Sequence, residues 1–428
     1  MHSCFTIRIL RLGVVLLVSL FLLTGFVSLV FVETASSDPL YFVPGNPTVM
    51  PANNSHTAAV TTTVSITYDE MMDPSTVSTR TFAVHAMQTG LLQEEFITDG
   101  GTIGLAPSQS FKPGELVQVS ATTGTLNIDA ESPITSTVWQ FRVVAGKGTG
   151  LFEYSPQNVG VSALDVDLGD VDGDGDLDAF ALGRTSTNRV WLNNGDGVFT
   201  DSGQTLGNAN GFAIELGDLD GDSDLDAFVV YGVNTSQPNK VYFNDGSGNF
   251  SDSGQNLGNT DGSDVGLGDL DGDGDLDAFV SRLFDNPNEV WLNDGHGFFS
   301  NSGQALGNSG SYSLALGDVD GDGDIDAFIA TIDADETAPN EVWLNNGNGI
   351  FIDSGQRLGN LGSFGAVLGD LDGDSDLDAF VVNRGLDQNQ PNKVWLNDGN
   401  GIFSDSGQSL GNSASVFVDL GDVDGDGD

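Results

Sequence analysis

The sequence predicts an all-β protein in two parts, a β-sandwich followed by a β-propeller of four-stranded blades. Three observations predict it. An aspartate ladder, first written Asp170-Val-Asp172-Gly-Asp174-Gly-Asp176-Leu-Asp178, starts again at Asp218, Asp269, Asp318, Asp370 and Asp422, at intervals of 48, 51, 49, 52 and 52 residues. A period of about fifty residues is that of a propeller blade. Between ladders, short apolar runs flank Asn-Gly and Asp-Gly turns, a strong hairpin signal because these residues tolerate positive φ. Ahead of the first ladder lie about a hundred residues of short alternating runs split by turn clusters, the pattern of an antiparallel sandwich.

The N-terminus carries Arg8 and Arg11, then an apolar stretch from Leu12 to Val32, then Ala35, Ser36 and Ser37. Residues 1–37 read as a secretory signal peptide or an N-terminal membrane anchor, and either one exports the remainder. The single cysteine, Cys4, precedes the apolar run, which excludes both a lipoprotein arrangement and a disulfide framework. Residues 38–146 are the sandwich. Its strands are expected in Thr61 to Tyr68, Thr81 to His85, Leu116 to Ala121 and Ser136 to Val144, and Ala145-Gly-Lys-Gly-Thr-Gly150 reads as a linker.

Residues 147–428 are the propeller. Each unit holds a lead-in run such as Ala163 to Leu168, the ladder, an apolar run such as Leu225 to Val230, a variable loop, a run around a ring residue, an Asn/Asp-Gly turn, and a run that starts on phenylalanine. The almost continuous apolar run fits an inner strand covered on both faces. From each ring residue (Trp191, Tyr242, Trp291, Trp343, Trp395) to the next phenylalanine (Phe199, Phe250, Phe299, Phe351, Phe403) is always 8 residues, and from there to the next ladder always 19. All length variation, 13 to 17 residues, falls between ladder end and ring residue. One loop per unit is therefore free to vary, on the face opposite the ladder. Gly150-Leu-Phe-Glu-Tyr-Ser-Pro-Gln157 matches the outer-strand text Gly401 to Gln408, as expected for a strand that helps close a ring. The text stops at Asp428 inside the sixth ladder, so it reads as a fragment truncated within that loop.

Composition narrows the function. There are 62 acidic residues against 13 basic ones, a formal charge of −49. Such a surface repels nucleic acid, whose binding rests on Lys and Arg, and equally an anionic membrane. Disorder is excluded because 39% of the residues are hydrophobic and the aromatics recur in register. Carboxylates on alternate residues repel one another unless a cation sits among them. Hard oxygen donors in this number suit Ca²⁺. An EF-hand is excluded because its twelfth position, a bidentate Glu, is here Ala181 or Val229.

The units resemble FG-GAP repeats, also called VCBS repeats, of integrin α-subunits and bacterial exoproteins. Leu168 to Asp178 matches the calcium motif of that family, and Ser363-Phe-Gly-Ala-Val-Leu-Gly-Asp370 spells its Phe-Gly and Gly-Ala pieces. Val64 to Thr76, with the later Trp139-Gln-Phe141, resembles bacterial Ig-like domains. The resemblance implies seven blades, incomplete here, with about one Ca²⁺ per complete repeat in the hairpin between the first and second strands.

Counting along a ladder, side chains at positions 1, 3, 5 and 9 and the backbone carbonyl at position 7 are the expected ligands. The candidates are Asp170, Asp172, Asp174, Asp176 and Asp178; Asp218, Asp220, Asp222, Asp224 and Asp226; Asp269, Asp271, Asp273, Asp275 and Asp277; Asp318, Asp320, Asp322, Asp324 and Asp326; Asp370, Asp372, Asp374, Asp376 and Asp378; and, in the incomplete copy, Asp422, Asp424, Asp426 and Asp428. Position 6 needs a sharp turn and is glycine except at Ser223 and Ser375, where weaker binding is expected. The ring residues are expected to be inter-blade core rather than sugar platforms, and the proline-containing variable loops are the better ligand candidates. The four histidines, His2, His56, His85 and His296, neither recur nor pair with a nucleophile. The expected function is a non-catalytic, secreted or cell-surface adhesion or interaction module for an extracellular protein or carbohydrate. The alternative is a propeller-based polysaccharide-degrading enzyme or its carbohydrate-binding part.

Overall fold

The computed structural model describes residues 41–44, 47–145, 157, 162–207, 210–232, 237–258, 261–284, 286–333, 337–384, 390–411 and 414–421. The expected leader at 1–37, most of the expected linker and closing strand, and the sixth ladder lie outside them. Among the described residues no helix is long and apolar enough to cross a membrane.

The N-terminal part is a sandwich of two sheets. One orders Thr48–Met50, Val64–Thr67, Thr102–Leu105 and Phe96–Asp99; the other orders Ser55–Ala58, Thr137–Val143, Leu116–Ala121, Phe82–Ala86 and Gly90–Leu91. Their inner faces bury Ile66, Ile103, Leu105, Phe82, Trp139 and Phe141 in one core. The second sheet is unusual for a sandwich sheet, because Leu116–Ala121 and Thr137–Val143 are buried on both faces. Trp139 and Phe141 point into the sandwich. Val138 packs instead with Leu270 and Ile325 of the repeats, and the Gln118 amide donates to the Leu267 carbonyl at 3.1 Å. The sheet is therefore covered on its outer face by the blades.

The repeats form five four-stranded antiparallel meanders, with first strands Ala163–Gly169, Gly211–Gly217, Gly262–Gly268, Gly310–Gly317 and Ser363–Gly369. The second strands, Asp178–Gly183, Asp226–Tyr231, Asp277–Arg282, Asp326–Ile332 and Asp378–Asn383, carry the nearly unbroken apolar text and are almost wholly buried. Each pairs with the first strand on one side and with the ring-residue strand on the other, as Ala278 opposite Trp291 illustrates.

Blades join by phenylalanine pairs. Phe180 meets Phe250, Phe228 meets Phe299, Phe279 meets Phe351 and Phe328 meets Phe403, edge to face at 5.1–5.4 Å. This geometry favours aromatic contact. Tyr242, Trp291, Trp343 and Trp395 are buried beside these pairs, in the inter-blade core. The second strand's phenylalanine and the outer strand's are thus one contact between successive units.

Candidate metal centre

Each described ladder is the loop between the first and second strands of its blade, and its ninth residue opens the second strand. That placement accounts for the burial of Asp178, Asp226, Asp277, Asp326 and Asp378, each of which is fully enclosed. A buried carboxylate must be hydrogen-bonded, and all five are bonded alike. One oxygen accepts the N–H of position 2 (Val171, Leu219, Leu270, Val319, Leu371) at 3.0–3.1 Å. The other accepts a backbone N–H from Asn193, Asn244, Asn293, Asn345 or Asn397 at 2.7–2.9 Å. Position 9 clasps the loop to the strand that carries the ring residue.

Position 1 organises the turn. Asp218, Asp269, Asp318 and Asp370 each accept N–H groups from positions 4 and 6 of their own loop, at 2.7–3.1 Å. Asp170 stands apart. Its Oδ2 lies 3.2 Å from the Lys112 ammonium, and its Oδ1 is buried without a donor. Position 6 adopts positive φ throughout: 97° at Gly175, 81° at Ser223, 97° at Gly274, 90° at Gly323 and 77° at Ser375. The two serines hold a conformation that costs a residue with a Cβ more than glycine.

Three carboxylates converge in each of the five loops, with one oxygen from each within 4.8 Å of the others. The groups are Asp170, Asp172 and Asp178; Asp218, Asp220 and Asp226; Asp269, Asp271 and Asp273; Asp318, Asp320 and Asp326; and Asp370, Asp372 and Asp374. Position 7 joins none of them. Its side chain (Asp176, Asp224, Asp275, Asp324, Asp376) lies over the hairpin glycine of its own blade (Gly195, Gly246, Gly295, Gly347, Gly399), where a Cβ would come within 2.2–2.5 Å of a carboxylate oxygen. Asp422, Asp424, Asp426 and Asp428 lie outside the described residues.

Burial, followed by the neighbouring ladder carboxylates, pushes these acids up. Asp226 and Asp326 rise to about 8, Asp218 and Asp269 to about 7, and Asp178 and Asp378 to about 6, while Asp277 is held well above the ordinary range. Converging carboxylates of this kind need a proton or a cation. Asp271 Oδ1, like Asp170 Oδ1, is a buried acceptor with no donor. All-oxygen donors, several per loop, and orphaned acceptors fit a hard divalent ion, so the residues present suit Ca²⁺.

Two recurring side chains hold these loops in place and are not conspicuous in the sequence. The asparagine that serves position 9 also reaches the preceding ladder, with Asn244, Asn293, Asn345 and Asn397 donating to the carbonyls of Val171, Leu219, Leu270 and Val319 at 2.7–2.8 Å. A glutamine in five of the Ser-Gly-Gln or Ser-Pro-Gln stretches latches the next unit. Gln204, Gln255, Gln304 and Gln356 each donate to a hairpin glycine carbonyl at 2.5–2.7 Å and accept the N–H of the following phenylalanine at 2.8–2.9 Å. Gln157 makes the same pair of bonds to Gly197 and Phe199. Their exact recurrence was the available signal, but periodicity alone does not say what a side chain touches.

A family model described as an FG-GAP-like repeat matches residues 170–229, 218–280, 269–329, 318–381 and 370–428. One described as a bacterial Ig-like domain matches residues 45–143. No curated protein matches the chain. Among solved structures it is similar to the BP39L lectin from Burkholderia pseudomallei, at 14% identity over 69% of this chain and 81% of that one, with a TM-score of 0.44. It is also similar to the SapL1 lectin in complex with alpha methyl fucoside, at 14% identity over 69% and 92%, TM-score 0.39. A third is AofleA from Arthrobotrys oligospora, at 12% identity over 89% and 100%, TM-score 0.36. At these scores none of the three bears on what this chain binds.

Proposed function

Because the chain belongs to the FG-GAP-like repeat family, with a bacterial Ig-like domain at its N-terminal side, we propose that it is an exported calcium-binding propeller. It serves as a non-catalytic adhesion or interaction module, with a protein or carbohydrate ligand outside the cell. One Ca²⁺ per complete ladder is held by the carboxylates of positions 1, 3, 5 and 9 with the carbonyl of position 7. The ion neutralises the loop and pins its hairpin. The full ring has the seven blades of the family, and the leader at residues 1–37 directs export to a millimolar-calcium compartment.

The observation that carries this reading is a group of three converging carboxylates in each of the five described loops, from positions 1, 3 and 9 in ladders one, two and four and from positions 1, 3 and 5 in ladders three and five. A solvated acidic turn would spread its carboxylates apart, whereas these converge and are partly enclosed. Titration calorimetry on the chain without residues 1–37 tests it. The expected result is uptake of about five Ca²⁺ per chain at up to millimolar concentration, the affinity range of extracellular modules. Absence of uptake overturns the proposal.

A further inference from the structure

The Ig-like sheet meets the ladders at one repeated position. At ladder one the Lys112 ammonium donates to the Gly175 carbonyl. At ladder two the Ser223 hydroxyl donates to the Leu91 carbonyl at 2.6 Å. At ladder three His85 Nε2 donates to the Gly274 carbonyl at 2.8 Å, and at ladder four the Val138 N–H donates to the Gly323 carbonyl at 3.0 Å. Gly175, Ser223, Gly274 and Gly323 are all position 6, the residue at the crest of the turn. The fit is close: a Cβ on Gly274 would stand 2.7 Å from the Arg80 carbonyl, and one on Gly90 2.4 Å from the Ser223 carbonyl. Ser223, which the turn alone disfavours, supplies a hydroxyl that glycine lacks. Ladder five meets the sheet elsewhere, with His56 Nδ1 3.9 Å from Asp370 Oδ2, and among the described residues Ser375 has no Ig-like partner.

We propose that the Ig-like sheet is a lid whose seat is completed by the ions, so that calcium and docking reinforce each other. This rests on the calcium reading above. Position 6 points its polar group at the lid only while the loop is drawn tight. With five carboxylates and no cation, mutual repulsion opens the loop and turns that group away. An ion that gathers the carboxylates of its ladder therefore fixes the group the lid needs. Linkage is reciprocal, so a seated lid raises the affinity of ladders one to four, whose position 6 it touches. At ladder one the two partners share Asp170: Lys112 takes Oδ2 and leaves the buried Oδ1 to the ion.

Residue-resolved hydrogen exchange on the chain without residues 1–37, in calcium and in chelator, tests the proposal. Among the described residues two backbone bonds cross the seat, Val138 N–H to the Gly323 carbonyl and Asp170 N–H to the Gln88 carbonyl. In calcium, the ladder amides and Val138 are both expected to slow by about five- to a hundredfold, the usual range of coupling between sites. The strand Val64–Thr67, in the far sheet, serves as reference and is expected not to change. Slowing in the ladders with Val138 unmoved overturns the lid and leaves the calcium reading standing. No slowing in either place overturns the calcium reading and the lid together.

Discussion

Removing the amide of Asn345 tests how far one side chain can hold two blades. Its Nδ2 donates to the Leu270 carbonyl of the preceding ladder at 2.7 Å and to the Ile325 carbonyl of its own at 3.1 Å, while its Oδ1 accepts the Asn346 N–H at 2.8 Å. The residue is 5% exposed, so water cannot replace these partners without opening the junction. Asn345→Ala deletes all three bonds and keeps the backbone N–H that serves Asp326. At about 1 kcal/mol for each bond, and more where a buried carbonyl is orphaned, the loss is about 3 kcal/mol. Equilibrium denaturation in urea, in the presence of calcium, reads it as a lower midpoint with unchanged slope. A change below about 0.5 kcal/mol, the ordinary effect of a surface substitution, would refute the claim that this side chain joins the units.

Chelation should lower the melting temperature, and millimolar Ca²⁺ should restore it. Each site contributes about 1.4 kcal/mol when free ion is about ten times Kd, and an unchanged melt in EDTA removes the stapling role. The ion-free chain should be stabilised by mild acid. Burial raises Asp226 and Asp326 to about 8 and Asp218 and Asp269 to about 7, so their stabilising protonation is complete below about 4 and is lost as pH climbs through 7 to 8. Melts in chelator at pH 5.5 and pH 8 check the sign, and a higher melting temperature at pH 8 contradicts it. Gln356→Ala should cost about 2 kcal/mol by freeing the Gly401 carbonyl and the Phe403 N–H, readable in the same urea experiment. Changing both Asp170 and Asp172 to Asn should lower stability in calcium while the Ig-like sandwich keeps its fold. Equal melting of variant and parent argues against a role for ladder one.

Much of this architecture was legible because it is periodic and local. The ladder, the Asn/Asp-Gly turn and the constant spacing from Trp291 to Phe299 to Asp318 set strand, loop and strand within one unit, and five blades follow that text. The burial of Tyr242, Trp291, Trp343 and Trp395 was legible for the same reason, since one aromatic per unit at fixed register marks a shared interface, while Trp191 of the first unit is only half-buried. The roles of Asn345 and Gln304 were not, although both recur, because their partners lie 75 and 45 residues away. The seating of the sandwich was less legible still. Asn53 reaches Asp318 across 265 residues at 2.6 Å, and no period links the Ig-like text to the ladders. The double burial of Leu116–Ala121 is the local trace of that seat, and in the sequence it reads as an ordinary sandwich strand. Ser223 marks the same limit: as a turn residue it is a defect, and only the neighbouring Leu91 carbonyl explains it.

The glutamine latch always runs forward, from one unit to the hairpin of its successor. A junction of this head-to-tail kind contains no record of how many units came before it, so any copy can be duplicated or lost in the gene without redesigning its neighbours. What limits the count is the turn made at each junction: copies accumulate until the rotation returns to its origin, and a turn that misses the origin would wind into an open spiral instead.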